Sequence, residues 1–295
     1  MDQRKFLRAR LAARQTVWSA GCYDALSAKL IEAAGFEAVL TSGFGISASF
    51  LGMPDVEVYT MTENLSVVRQ VVNAVKIPVV ADCDTGYGNA VNVMRTVREF
   101  ENAGAAAIIL EDQVVPKRCP AIANRIEVIP QAEGVAKIKA AVEARRDPEL
   151  VIIARTDAGS EEESIARAKA YVAAGADMVQ PISKTMKDAN MLRRFRDGTG
   201  APVSLQVIGW LENLSPEELR EIGGMATFAL APLMTVAQAM MTNLKALQAS
   251  KSTKGLPLPL MDHKQFAEIL DFSTIENIQA RLLPEAPDFQ KHAAE

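Results

Sequence analysis

The chain is short of the residues that build covalent or zinc frameworks. Its 295 residues include three cysteines and two histidines. Cys22, Cys83 and Cys119 are odd in number and scattered, so they suggest neither a disulfide framework nor a zinc pattern. A reducing cytoplasm fits that usage. Positive charge is also in deficit. The net charge is −4, the pI is about 5.5, and no dense basic cluster offsets them, which argues against a nucleic-acid partner. No apolar run approaches the roughly 18 residues of a membrane span. Met1 to Arg14 is charged and lacks the apolar core of a signal peptide. No GxGxxG follows the first strand-like run, which counts against a dinucleotide fold. The expectation is a soluble cytoplasmic protein with no nucleic-acid or membrane partner.

What is present is ordinary globular composition, 49% hydrophobic and 23% charged. A chain of this length can bury a large core. Eight short apolar runs read as strands: 17–20, 38–41, 79–82, 107–111, 151–156, 178–181, 203–207 and 227–230. Amphipathic stretches that read as helices separate most of them, and a long helix follows the last, from about Val236 to Ser250. Such alternation argues for a parallel sheet. "AAGFEAVL" (33–40), "NAGAAAIIL" (102–110) and "AAGADMVQ" (173–180) share one grammar, in which a helix ends, glycine caps it and a strand begins. Eight units fit an α/β fold of the (β/α)8, TIM-type barrel kind, over residues 1–250. Lys251–Pro259 reads as a linker. Residues 251–295 form a C-terminal extension whose helical stretches, 262–270 and 274–282, have apolar faces that need a surface, such as a neighbouring subunit.

In such a barrel, chemistry sits at the C-terminal ends of the strands. Strand two ends in Thr41-Ser42-Gly43, strand three in Asp82-Cys83-Asp84, strand four in Glu111-Asp112, and strand five in Arg155-Thr156-Asp157. Alternate residues of a strand share a face, so Asp82 and Asp84 can point the same way. Carboxylates crowded together repel unless a cation or proton lies between them. Oxygen donors with no histidine nearby favour Mg²⁺ or Mn²⁺ over zinc. The plainer reading is that Asp84 caps the next helix while Glu111 or Asp112 pairs with a basic residue. Arg155 follows four apolar residues and is costly there unless it faces anions. Two roles are open to it: clamping a substrate carboxylate, or neutralising Asp82 or Glu111. Ser42-Gly43 can offer backbone N–H groups to a carboxylate, or be an ordinary turn.

"DCDTGYGN" (82–89), "LEDQ" (110–113), "PKRC" (116–119) and "IIARTDA" (152–158) together resemble the isocitrate lyase/phosphoenolpyruvate mutase superfamily. "YDALSAKLIEAAGF" (23–36) and "TSGFGISASFLGMPD" (41–55) fit as well. The resemblance is nearest to the branch of small 2-methylisocitrate lyases, 2,3-dimethylmalate lyases and carboxyphosphonoenolpyruvate mutases. It implies a barrel with one helix exchanged between subunits, giving dimers that pair into a homotetramer. It implies Mg²⁺ near Asp84, with Asp82 and Glu111 in the water shell and Asp55 close by. Ser42, Gly43, Phe44 and Arg155 would hold a pyruvate-like unit, and Tyr23 would stand near the reacting carbon. Residues 114–129 would form a lid carrying Lys117, Arg118 and Cys119, with Cys119 as the acid/base that protonates an enolate carbon. Basic neighbours favour thiolate.

Three departures stand out. The lyase pattern Cys-Gly-His is here Cys119-Pro120-Ala121. The glutamate that the family carries after strand six should fall near Ile182, in "QPISK", and is absent. The segment after strand seven reads "QVIGWLENLS" (206–215), where Gln206 can replace a family asparagine and Trp210 has no counterpart. They imply a smaller or more apolar distal group than a tricarboxylate has. The expected function is an Mg²⁺-dependent lyase that cleaves a C–C bond of a malate-like or 2-oxo dicarboxylate through an enolate. The alternatives are phosphonate chemistry, oxaloacetate decarboxylation or hydrolysis, and a barrel that binds without catalysis.

Overall fold

The three glycine joints read from the sequence are left-handed turns between helix and strand. Gly35, Gly104 and Gly175 have φ of 89°, 98° and 103°, a region in which side chains bearing a Cβ are strained. The computed structural model describes residues 2–119 and 126–283. Among them eight strands alternate with helices: β1 Val17–Cys22, β2 Ala38–Thr41, β3 Val79–Asp82, β4 Ala107–Glu111, β5 Val151–Thr156, β6 Met178–Pro181, β7 Ser204–Gln206 and β8 Met225–Phe228. All pair in parallel in the order β6-β5-β4-β3-β2-β1-β8-β7. A bridge from Val179 to Val203 joins β6 to β7 and brings the sheet round into a barrel. Strand β8 lies earlier than its apolar run suggests, because pairing sets its register: Val17 stands opposite Met225 and donates to Gly224 O.

Inward-facing Val17, Leu40, Val80, Ile109, Val151, Ile153 and Met225 form one buried cluster with Leu7. Leu7 comes from a helix, Gln3–Ala12, in the segment that the sequence shows only as charged. Its arginines explain the charge. Arg4 bonds Asp147, Ala105 O and Glu101 O, and Arg8 bonds Asp177, Leu150 O and Pro148 O. These partners lie just before β4, β5 and β6, so the helix stops the N-terminal mouth of the barrel. The opposite mouth is left for chemistry.

Residues Met1–Gln238 form one compact unit and Ala239–Glu295 a second. The division falls within the helix Ala231–Ser250, earlier than the Lys251–Pro259 linker. The second unit holds helices His263–Ile269 and Phe272–Leu282. Asn243 exchanges hydrogen bonds with the Leu258 backbone there. Its Met241, Leu244, Phe272, Ile275 and Leu282 are exposed. Among the described residues no helix is long and apolar enough to cross a membrane.

Candidate active site

The turn after β3 is built around two glycines. Asp84, Gly86 and Tyr87 have φ of 49°, 82° and 60°. A Cβ on Gly86 would come within 2.6 Å of Val93 Cγ2, so the turn needs glycine there on steric grounds as well. Left-handed non-glycine residues cost energy and concentrate at functional sites. The turn also decides what Asp84 does. Asn89, in a capping box with Asn92, caps the next helix. Asp84 is fully buried instead. Its Oδ2 accepts from Tyr59 OH at 2.6 Å and Tyr87 OH at 3.3 Å, and its Oδ1 meets Lys117 Nζ.

Asp82 and Asp84 face one spot. Asp82 Oδ2 and Asp84 Oδ1 lie 3.1 and 3.2 Å from where a Cβ on Gly43 would sit, and Tyr59 OH lies at 2.7 Å. Glycine at 43 is what leaves room for them. Gly43 N–H donates to Asp82 Oδ2 at 3.3 Å, while Ser42 caps the short helix Gly43–Ile46. Burial, then the charge of Asp84, push the Asp82 carboxyl up to about 6, although Lys117 and Arg155 pull it down.

Lys117 is the internal counter-ion of this group. It is buried and reaches Asp55 Oδ1 at 2.9 Å as well as Asp84. Burial works against its ammonium charge, but Asp84, Glu111, Asp55 and Asp82 together hold its pKa well above the usual lysine value. Burial likewise lifts Asp55 and Glu111 above the usual carboxylate range, against the pull of nearby cations.

All three guanidinium nitrogens of Arg155 are engaged by carboxylates. It meets Glu111 Oε2 at 2.8 Å and grips Asp157 through Nε and Nη2, both at 2.8 Å. Of Glu111 and Asp82, its direct ion pair is with Glu111, and it acts on Asp82 only through its charge, while still lining the cavity at this mouth. Glu111 Oε1 is buried and has no hydrogen-bond partner among the described residues. Asp112 is structural. It accepts from Thr156, the Asp157 N–H and Tyr171, and pairs with Arg167.

A cavity of about 130 Å³ opens at this mouth. Of the residues expected from sequence, Ser42, Phe44, Asp55, Asp82, Cys119 and Arg155 line it. Asp84, Gly43, Lys117 and Glu111 lie directly behind, through the contacts above. Tyr23 and Arg118 neither line it nor join that cluster. Tyr23 is buried behind the Ser42 turn, with its Cβ 2.9 Å from the position of a Cβ on Gly45. Arg118 has an exposed side chain, and its backbone N–H donates to Gln113 Oε1 at 2.9 Å. Pro120 and Ala121 lie outside the described residues. Among the described residues no three acidic, cysteine or histidine side chains are gathered closely enough to hold a metal ion between them.

The far wall is mixed: Pro181, Ile182, Ile208 and Leu230 supply apolar surface, and Ser183 and Lys184 stand beside them. Trp210 is not part of it. Its Nε1–H donates to Ser183 O and Met186 O, so it fastens the loop after β6. Gln180 and Gln206 lie on that side, joined by a 3.0 Å hydrogen bond, and Gln206 keeps a buried amide oxygen without a described partner. Sequence reasoning missed Tyr59 and Gln180. Tyr59 sits in a loop with no motif around it, whereas Gln180, at the polar end of an apolar strand, was readable by the rule applied to the other strands.

A family model described as phosphoenolpyruvate phosphomutase matches residues 7–250. The chain belongs to the phosphoenolpyruvate mutase/isocitrate lyase superfamily. A 2,3-dimethylmalate lyase of Eubacterium barkeri is 38% identical over 278 residues, which cover 92% of this chain and 96% of that one. A 2-methylisocitrate lyase of Shewanella oneidensis is 38% identical over 256 residues, 84% of this chain and 86% of the relative. A crystal structure of phosphonopyruvate hydrolase, in complex with oxalate and Mg²⁺, superposes with a TM-score of 0.88 at 29% identity, covering 96% of this chain and all of the other. Like its superfamily relatives, the protein is an enzyme of the carbon–carbon lyase and mutase group, built on their TIM barrel.

Proposed function

We propose that the protein is a divalent-cation-dependent lyase that cleaves a C–C bond of a substituted malate or a related 2-oxo dicarboxylate, releasing pyruvate or a similar 2-oxo acid. The observation that supports this most is the cavity. One side offers Ser42, Asp82, Arg155 and Cys119, and the other offers Ile182, Ile208 and Leu230 with Ser183 and Lys184 beside them.

The donor set suits a hard cation. Asp82 and Asp84 turn oxygens to a shared point, and Glu111 keeps an unpartnered buried oxygen. Oxygen-only ligation favours Mg²⁺, with Mn²⁺ as the alternative. Asp84 would hold it, with Asp82, Glu111 and Asp55 around it. When bound, the cation supplies positive charge against the negative charge that develops on substrate oxygens.

The chain's own groups do the rest. Arg155 and the Ser42-Gly43-Phe44 turn seat the pyruvate-like half. During cleavage the 2-hydroxyl passes its proton to a carboxylate of the acid cluster and the C2–C3 bond breaks. The electron pair passes to C3 as C2 becomes a carbonyl. Cys119, on the cavity wall, delivers a proton to C3. Buried Lys117 offsets part of the charge of the acid cluster through Asp55 and Asp84. On the far side Ile182, Ile208 and Leu230 take an alkyl substituent, next to Ser183 and Lys184. The protein works in the cytoplasm as a homotetramer of helix-swapped dimers, and exchange would cover the exposed face of Phe272 and Ile275. Light scattering that gave a monomer would remove the exchange.

The deciding experiment incubates the protein with Mg²⁺ and a panel of malate-type acids, oxaloacetate and phosphonopyruvate, followed by proton and phosphorus NMR with an EDTA control. EDTA-sensitive release of a 2-oxo acid from an alkyl malate is expected. A change at phosphorus alone would move the enzyme to phosphonate chemistry, and decarboxylation of oxaloacetate alone would replace the lyase reading.

A further inference from the structure

Gln113 follows Glu111 and Asp112 at the end of β4 and is almost fully buried. Its amide is divided between two parts of the site. Nε2–H donates to Asp157 Oδ2 at 2.5 Å, and Oε1 accepts the Arg118 backbone N–H at 2.9 Å. Asp157 is the carboxylate that grips Arg155 through two nitrogens. Arg118 lies between Lys117, which neutralises Asp84, and Cys119 on the cavity wall. The backbone of Gln113 is fixed as well, since it bridges to Val128 while Val114 N–H donates to Glu127 O. The side chain thus has an anchored base and two committed ends.

We infer that Gln113 is a positioning residue that couples the orientation of Arg155 to the placement of the Lys117–Cys119 segment. The inference rests on the reading of Arg155 as a carboxylate anchor. A shift of Asp157 when Arg155 takes a substrate carboxylate would pass through one rigid amide to the segment bearing the proton donor. Neither end of the amide can be replaced by water without loss, because both partners are buried polar groups or lie beside them.

Two substitutions separate the ends. Gln113→Leu removes both hydrogen bonds. Gln113→Glu keeps an acceptor for Arg118 N–H but sets a carboxylate against Asp157. The readouts are the rate of tryptic cleavage after Arg118, and oxalate affinity by calorimetry in Mg²⁺, with a thermal melt of each variant. Gln113→Leu is expected to be cut about tenfold faster and to bind oxalate about tenfold more weakly. Gln113→Glu is expected to be cut within about twofold of the wild-type rate, yet to show the same loss of oxalate affinity. A Gln113→Leu protein with either readout unchanged overturns the coupling. If that variant fails to fold, wild-type oxalate affinity in Gln113→Glu overturns it. A wild-type protein that ignores oxalate would instead sink the carboxylate role of Arg155, and the tryptic arm would still decide whether Gln113 holds the segment.

Discussion

Lys117 and Asp84 form an ion pair in which neither side chain reaches solvent. Removing one partner of such a pair strands a buried charge, at a typical cost of about 3–5 kcal/mol. Lys117→Met leaves Asp55 and Asp84 facing one another without their cation. Its melting temperature in EDTA should fall by roughly 6–20 °C, at 2–4 °C per kcal/mol for a large domain. Mg²⁺ should recover much of that loss. A variant that melts like the wild type in EDTA would show that the pair does not balance the acids.

Protonation of Asp82 gives a second test. Its folded carboxyl titrates near 6, above the ordinary value of about 4, so its contribution to stability is full below pH 4 and is lost as pH rises through 6. In EDTA the wild type should therefore lose stability relative to Asp82→Asn between about pH 4 and pH 6. Added Mg²⁺ should reverse the trend, because only the ionised carboxylate attracts the cation. A stabilisation by Mg²⁺ that is equal at about pH 5 and pH 7 would contradict a role for Asp82 near the cation.

The thiol of Cys119 can be tested without disturbing the acids. Cys119→Ser should lower kcat by about 10²–10⁴-fold, the usual worth of a positioned acid or base. Mg²⁺ affinity and the melting curve should hold. Turnover within a few-fold of wild type would make the cysteine a bystander on the cavity wall.

Gly43 tests the crowding. The methyl group of Gly43→Ala would meet Tyr59 OH at 2.7 Å and the two carboxylates at just over 3 Å. The side chains must part, and Mg²⁺ affinity should drop at least about tenfold while far-UV circular dichroism stays native. An alanine variant with unchanged Mg²⁺ affinity would place the cation elsewhere.

The barrel was legible because alternation and glycine joints are local signals. Five of the strands, β2 to β6, begin and end where their apolar runs do. Strand β8 was displaced because its pairing with β1 outweighs its hydropathy. The helix Gln3–Ala12 was missed because its arginines look like a solvated face until their partners, more than a hundred residues away, are known. Acids at strand ends pointed to the site, and six of the expected residues line one cavity. What stayed hidden was pairing. Nothing local shows that Arg155 would take Glu111 and Asp157, that Lys117 would reach Asp84, or that Trp210 would turn away from the cavity.

The junction between β6 and β7 differs from the others in the barrel. Where other neighbours share a ladder, these two meet at the Val179–Val203 bridge, and Gln180 accepts from Ser204 and Gln206 across the gap. The same two strand ends carry the apolar surface of Ile182 and Ile208. The part of the cavity that sorts one substrate from another is therefore held more by exchangeable side chains than by main-chain pairing. A lineage could retune its diet there, a few substitutions at a time, with the acid cluster and the rest of the scaffold left untouched.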